Sequence, residues 1–123
     1  MGKKLWSPSK EIIKDSNIMK YIHFLRDNYG LNFKKYEELY NWSTENRAEF
    51  WKSIWEFSGL IFSKKYDVIL ENGDDMLNSK WFTGARLNFA ENLLRRRDEK
   101  LALLFQSEIP NRKPRTLSYK EIF

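Results

Sequence analysis

The chain has 123 residues, a net charge of +5 at neutral pH and a mean hydropathy of −0.69, with 41% hydrophobic and 32% charged residues. This composition holds too many large apolar residues for intrinsic disorder, and no apolar run approaches the ~18 residues that a membrane-spanning helix needs. There is no cysteine and one histidine, which excludes disulfide scaffolds, thiolate zinc sites and cysteine nucleophiles and leaves little for histidine-based catalysis.

Aromatic residues make up 16% of the chain, as five Trp, six Tyr and nine Phe. So much ring area in so short a chain implies either an unusually aromatic core or faces meant to be covered by something else. The charge is laid out in blocks. Residues 1–35 hold eight Lys/Arg against three Asp/Glu, residues 36–78 four against nine, and residues 79–123 ten against five. Alternating basic, acidic and basic thirds favour internal complementarity over one continuous phosphate-binding face. Lys3 and Lys4 are followed by no apolar stretch, so a secretory signal is not expected and a cytoplasmic location is.

In chain order, Trp6-Ser7-Pro8-Ser9 reads as an extended lead-in, because Pro8 biases Ser7 away from helix. A helix is expected over about Asn17–Tyr29, with Ser16 as N-cap and Gly30 after its end. Ile18, Tyr21, Ile22, Leu25 and Tyr29 share its apolar stripe, while Lys20, His23 and Asp27 lie opposite. A short helical piece at Tyr36–Tyr40 follows, and then a longer helix over about Thr44–Phe57, started by Ser43 and stopped by Gly59. Phe50, Trp51, Ile54, Trp55 and Phe57 cover about half of its circumference.

Beyond Gly59 the period changes. Tyr66–Leu70 reads as a strand ended by Asn72-Gly73, and Lys80–Phe82 as a short extended piece. Leu87–Arg96 has a helical apolar face closed by Arg95, Arg96 and Arg97. Leu101–Phe105 is a continuous apolar run of strand length, expected to be covered on both faces, and Arg115–Tyr119 is its candidate partner. Ser118 and Glu121 have the spacing of a capping box and announce a helix that two more residues cannot complete. The fold class expected is α+β: a mainly helical N-terminal region, then a short β-hairpin that begins a larger domain. The ending suggests the N-terminal piece of a longer polypeptide, with a small complete domain as the alternative.

Each cluster that could carry chemistry has a simpler explanation. Glu71, Asp74 and Asp75 could ligate Ca²⁺ or Mg²⁺, but no Glu closes an EF-hand loop, and a solvated turn accounts for them. His23 could act as a base, but it sits on the polar side of its helix with no acid placed to orient it. Arg95, Arg96, Arg97 and Lys100, and separately Arg112, Lys113 and Arg115, could meet nucleic acid or an acidic ligand. Cations following a helix complement its negative end, and Asp98 and Glu99 dilute the patch, so no nucleic-acid partner is expected. Trp42, Trp51 and Trp55 lie at helical spacing on an apolar face, so core or interdomain packing is the default use of that stripe, and the surplus of aromatic area favours interdomain packing. The five glycines form neither of the phosphate-cradling motifs G-x-x-x-x-G-K or G-x-G-x-x-G.

The residues also form a family pattern. Trp6-x-Pro8-Ser9, then Met19, Tyr21 and Phe24 before Gly30, then Tyr36, Leu39, Trp42 and Ser43, then Phe50-Trp51 and Trp55-x-Phe57, resemble the N-terminal region of acetoacetyl-CoA synthetases. Trp81-Phe82-x-Gly84-x-x-Leu87-Asn88-Phe89-Ala90-Glu91-Asn92-Leu93 is similar to a segment shared with acetyl-CoA and propionyl-CoA synthetases, with Phe89 where Tyr is common. Leu117-Ser118-Tyr119-Lys120-Glu121 resembles the segment that opens their large nucleotide-binding domain.

The resemblance implies an acyl-adenylate-forming, ATP-dependent acid–CoA ligase, with residues 1–97 as its accessory region and 98–123 as the start of the adenylating domain. It implies ATP, Mg²⁺ and coenzyme A for the full-length enzyme. It places the phosphate loop, ribose-binding acid and catalytic Lys downstream of Phe123, so no catalytic, cofactor-binding or metal-binding residue is expected in this chain. The remainder of the same polypeptide is the expected partner. The alternative is a stand-alone helical interaction module without enzymatic activity.

Overall fold

A computed structural model describes residues 5–123, so Lys3 and Lys4 lie outside the described part. It divides into two units, the first ending at Gly59 and the second running Leu60–Phe123.

The first unit is helical. Helix α1 (Lys10–Asp15) was not anticipated; the Ser9 hydroxyl starts it by accepting from the Ile12 amide at 3.3 Å. Helix α2 (Asn17–Tyr29) has the expected bounds. Ser16 caps it through the Met19 amide, and Gly30, at φ 69°, ends it in the left-handed conformation that glycine adopts without penalty. Helices α3 (Tyr36–Glu45) and α4 (Arg47–Phe57) correct the expected boundary. Ser43 and Thr44 do not start a helix; their hydroxyls donate back to the carbonyls of Tyr40 and Asn41, at 2.7 and 2.9 Å, inside α3. The break falls at Asn46, at φ −116° and ψ 52°. At the start of α3, Glu38 reaches back to accept from the amides of Lys34 and Lys35. The Lys34 amide is the larger cause holding its carboxyl below the usual range.

Tyr21, Leu25, Leu39 and Trp42 form the core of this unit, with Phe33, Phe50 and Ile54 among the side chains packed around them. Trp42 and Phe50 meet edge-on, 6.0 Å and 78° apart, and Tyr21 stacks on Phe24 at 15°. Trp42 and Trp55 are buried, which is the core use of the tryptophan stripe, and Trp51 is its exposed member. The Ser53 hydroxyl is fully buried. It donates to the Phe50 carbonyl at 2.6 Å, so its single hydrogen is used. Tyr21 must therefore be the donor in the bond between the two hydroxyls.

The second unit holds two separate antiparallel hairpins in place of the single one expected. Strands β1 (Val68–Glu71) and β2 (Lys80–Thr83) pair Val68 with Thr83, Leu70 with Trp81 and Glu71 with Lys80. Helix α5 (Phe89–Leu93) is half the expected length, so the three arginines follow the helix instead of closing it. Strands β3 (Leu101–Phe105) and β4 (Arg115–Ser118) pair across an irregularity between Leu101 and Leu103. Leu101, Leu103, Leu104 and Phe105 are between 54% and 66% exposed, so the strand expected to be covered on both faces is covered on neither. The capping box forms, with Glu121 accepting from the Ser118 amide and hydroxyl and the Glu121 amide donating to Ser118 Oγ. One helical-type bond, Ile122 to Ser118, follows it. The mixture of helices and short antiparallel strand pairs is α+β, as expected.

Burial raises the Tyr21 hydroxyl above its ordinary value near 10. The hydrogen bond with Ser53 acts in the opposite direction and is the smaller effect, so burial decides the sign. A raised phenol pKa adds stability that is complete below the unfolded value and lost as pH rises through the folded one. Tyr21→Phe should therefore lower the urea midpoint by the equivalent of about 1 kcal/mol at pH 7, with a smaller gap from the parent chain above pH 10. A gap that widens with pH would contradict this arrangement.

Candidate functional site

The acidic cluster lies on the β1–β2 connection. Glu71 ends β1 opposite Lys80, and Asp74 and Asp75 lie in the turns beyond it. Asp75 is committed to that loop. Its Oδ2 accepts from Asn78 Nδ2 at 2.7 Å, and its Oδ1 accepts from the amides of Leu77 and Asn78. The Asn78 side chain is the largest cause of the lowered Asp75 pKa. Among the described residues, no three His, Asp or Glu side chains converge on a point where they could hold a metal ion.

His23 is exposed on α2. Asp27 lies one turn away, and His23 is the smallest of the causes that lower the Asp27 pKa. Arg26 is the larger cause and occupies both Asp27 oxygens, at 2.8 and 3.2 Å. Asp27 is thus held by Arg26, and no bond from it orients the imidazole.

The arginines after α5 form a clasp. Arg96 donates to Asp98 at 2.8 Å and lies over the Tyr119 ring at 4.6 Å, while Arg97 lies 3.4 Å from the Phe123 ring centre. Lys120 pairs with Glu99 at 2.7 Å, and the Tyr119 and Lys120 amides donate to the carbonyls of Lys100 and Asp98. Charges assigned in sequence to the dipole of α5 instead tie the segment before β3 to the segment after β4. Of the second basic group, Arg115 starts β4 opposite Phe105 and, with Leu103, Phe105 and Leu117, lines a shallow apolar depression.

The 81–93 segment proves to be a set of structural staples, and sequence reading missed them. Asn88 Oδ1 accepts from the amides of Ala90 and Glu91 and starts α5. Asn92 pairs with the backbone of Ile61 in both directions, accepting from its amide at 2.9 Å and donating to its carbonyl at 2.8 Å. Lys64 and Arg86 exchange backbone bonds alongside, and Arg86 also accepts from Ser63. Gly84 sits at φ 85°, and a Cβ there would collide with the Asp67 carboxylate. The signal for Asn88 was a cap-type residue two positions before Ala90; for Asn92, whose partner is 31 positions away, sequence offered none.

The similarities to known proteins fall on the same residues. Residues 36–93 match the family model described as the acetyl-coenzyme A synthetase N-terminus. An acetoacetyl-coenzyme A synthetase from Rhizobium meliloti (strain 1021) is 38% identical over 104 residues, covering 85% of this chain and 16% of the relative. An acetoacetyl-CoA synthetase from Xenopus tropicalis is likewise 38% identical over 104 residues, covering 83% of this chain and 15% of the relative. The solved acetoacetyl-CoA synthetase from Streptomyces lividans superposes with a TM-score of 0.80 at 30% identity, over 96% of this chain and 18% of that one. These likenesses define the class as an N-terminal region of the acetyl-CoA synthetase kind. Within that class, the chain belongs to the acetoacetyl-CoA synthetase family. It spans less than a fifth of the length of the relatives it matches.

Asn92→Ala removes two bonds to Ile61 and leaves that backbone to water. The cost should be about 1–3 kcal/mol. Hydrogen exchange should show the Ile61 amide losing protection while Leu25 keeps its own. Unchanged protection at Ile61 would remove Asn92 from this role.

Proposed function

We propose that this chain supplies the N-terminal part of an ATP-dependent acid–CoA ligase that converts acetoacetate, ATP and coenzyme A to acetoacetyl-CoA, AMP and diphosphate. The observation that carries the reading is likeness to acetoacetyl-CoA synthetases over more than four-fifths of the chain. Residues 1–97 form the accessory region and residues 98–123 the opening of the adenylating domain. The exposed Leu101–Phe105 strand supports that division, because an apolar strand open on both faces suits the interior of a larger sheet.

The chemistry follows from the poor reactivity of a carboxylate. A carboxylate oxygen attacks the α-phosphorus of ATP and diphosphate leaves. The coenzyme A thiol then attacks the acyl carbon, and AMP leaves with the bonding electron pair. Mg²⁺ and cationic side chains offset phosphate charge in such reactions. These 123 residues carry no catalytic, cofactor-binding or metal-binding role in this reading. Their task is structural, their partner is the rest of the same polypeptide, and the enzyme works in the cytoplasm.

Diphosphate release with ATP, acetoacetate and coenzyme A tests this directly. The chain alone should give no turnover above background, and the polypeptide extended through an adenylating domain should turn over acetoacetate faster than acetate. Turnover by the chain alone would overturn the structural role; an extended polypeptide inert toward acetoacetate would overturn the substrate. Hydrophobic dye should bind the chain alone strongly, whereas a dye-silent monomer would favour the stand-alone interaction module.

A further inference from the structure

Met76 and Leu77 stand 89% and 92% exposed in the β1–β2 connection. Single exposed apolar side chains need no explanation, but an adjacent pair on a closely bonded loop does. The Asp75 amide donates to the Asn72 carbonyl at 2.9 Å, and the Asn78 amide to the Asp75 carbonyl at 3.1 Å. The Asp75 carboxylate accepts from the Leu77 amide at 3.2 Å, and Ser79 Oγ donates to the Met76 carbonyl at 3.3 Å. The backbone around the pair is thus fixed, and the two side chains stand on a preformed knuckle. Residues 71–79 carry Glu71, Asp74 and Asp75 and no Lys or Arg, so the knuckle has an acidic surround.

The β3–β4 hairpin carries the complement. Leu103, Phe105, Arg115 and Leu117 line a depression of about 270 Å³. A cavity of roughly 150 Å³ already admits a benzene-sized group, so this one has room for a Leu or Met side chain. Its rim is cationic, because Arg115 lines it and Arg112 and Lys113 lie in the segment that enters β4. None of these three makes an ion pair among the described residues. Leu103 and Phe105 are each 54% exposed, and Met76 and Leu77 are nearly bare, so the knuckle does not fill the depression of its own chain.

We propose that the depression takes a second copy of this chain: the Met76–Leu77 knuckle of one copy enters the β3–β4 depression of another, with the acidic surround against the Arg112, Lys113 and Arg115 rim. Apolar side chains meet an apolar floor and carboxylates meet cations, which is what selects this occupant. Each copy carries both halves, so the contact is head-to-tail. A pair joined this way keeps one free knuckle and one free depression and goes on adding copies instead of closing on itself. The inference stands on the chain itself and does not rest on the ligase reading.

Sedimentation velocity of the chain tests it. The mean mass should rise with concentration between about 10 and 500 µM, with no plateau at the dimer. Leu77→Asp should weaken association by about tenfold or more, the worth of burying one Leu. Leu5→Asp, at a side chain just as exposed but outside the contact, should leave association unchanged. Arg112→Glu together with Lys113→Glu should weaken it by about tenfold, since acid would then face acid. Leu77→Asp and Leu103→Asp, each monomeric alone, should form a dimer and nothing larger when mixed, because together they retain one knuckle and one depression. Should Leu103→Asp lose the circular dichroism of the parent chain, the contrast between Leu77→Asp and Leu5→Asp decides alone. A chain that stays monomeric over the whole range would overturn the proposal. So would association that Leu77→Asp leaves intact, that Leu5→Asp weakens as much, or that stops at a closed dimer. A monomeric chain leaves the ligase reading untouched, and an extended polypeptide inert toward acetoacetate leaves this contact untouched.

Discussion

Leu25 is fully withdrawn from solvent, and Tyr21, Leu39 and Trp42 close around it from α2 and α3. The rest of the helical unit is arranged to keep that packing shut. Ser53 brings α4 to Tyr21 through a hydroxyl pair, Phe50 sets its edge against both Tyr21 and Trp42, and Phe57 tilts against Tyr21 and Phe24. A buried hydroxyl pair costs desolvation unless every hydrogen finds an acceptor. Here Tyr21 donates to Ser53 and Ser53 donates to Phe50, so the chain of donors ends on a backbone carbonyl. The polar contact therefore fixes the register of α4 on α2, which aromatic area alone would leave free to slide.

The second unit is held by other means. No large apolar side chain of Leu60–Phe123 is buried, and the order there comes from backbone pairing and short polar staples. Asn92 acts as one more strand partner for Ile61, Asp75 knots the β1–β2 loop, Ser118 and Glu121 bond reciprocally, and the arginines after α5 lie on aromatic rings. Exposed ion pairs contribute little individually. What such a network supplies is definition of shape, with the apolar faces of β3 and β4 left available.

Elements with a local signal were legible in the sequence. Helix α2 announced itself by Ser16, Gly30 and a clean apolar stripe, and β3 by five consecutive apolar residues between polar ones. The break between α3 and α4 was not legible, because Ser43 and Thr44 look like caps in sequence yet spend their hydroxyls on carbonyls within α3. Helix α5 was read too long because Leu94 continues the apolar period past the end of the helix. The roles of Asn92 and of the arginine clasp depend on partners about 20 to 30 positions away, and no spacing rule reaches that far. The family was legible for a different reason: its pattern rests on aromatic and glycine residues spread along the sequence, several of which here set ring packing and turn geometry.

The pairing of Tyr21 with Ser53 spans 32 positions, and every ring contact around Leu25 closes within the first unit, the widest being Tyr21 with Phe57. Low sequence separation of contacts goes with fast folding, and a nascent chain emerges from its N-terminus. The helical unit thus has everything it needs to settle before β3 has left the ribosome. The exposed apolar strand then emerges after the rings of the first unit are already buried.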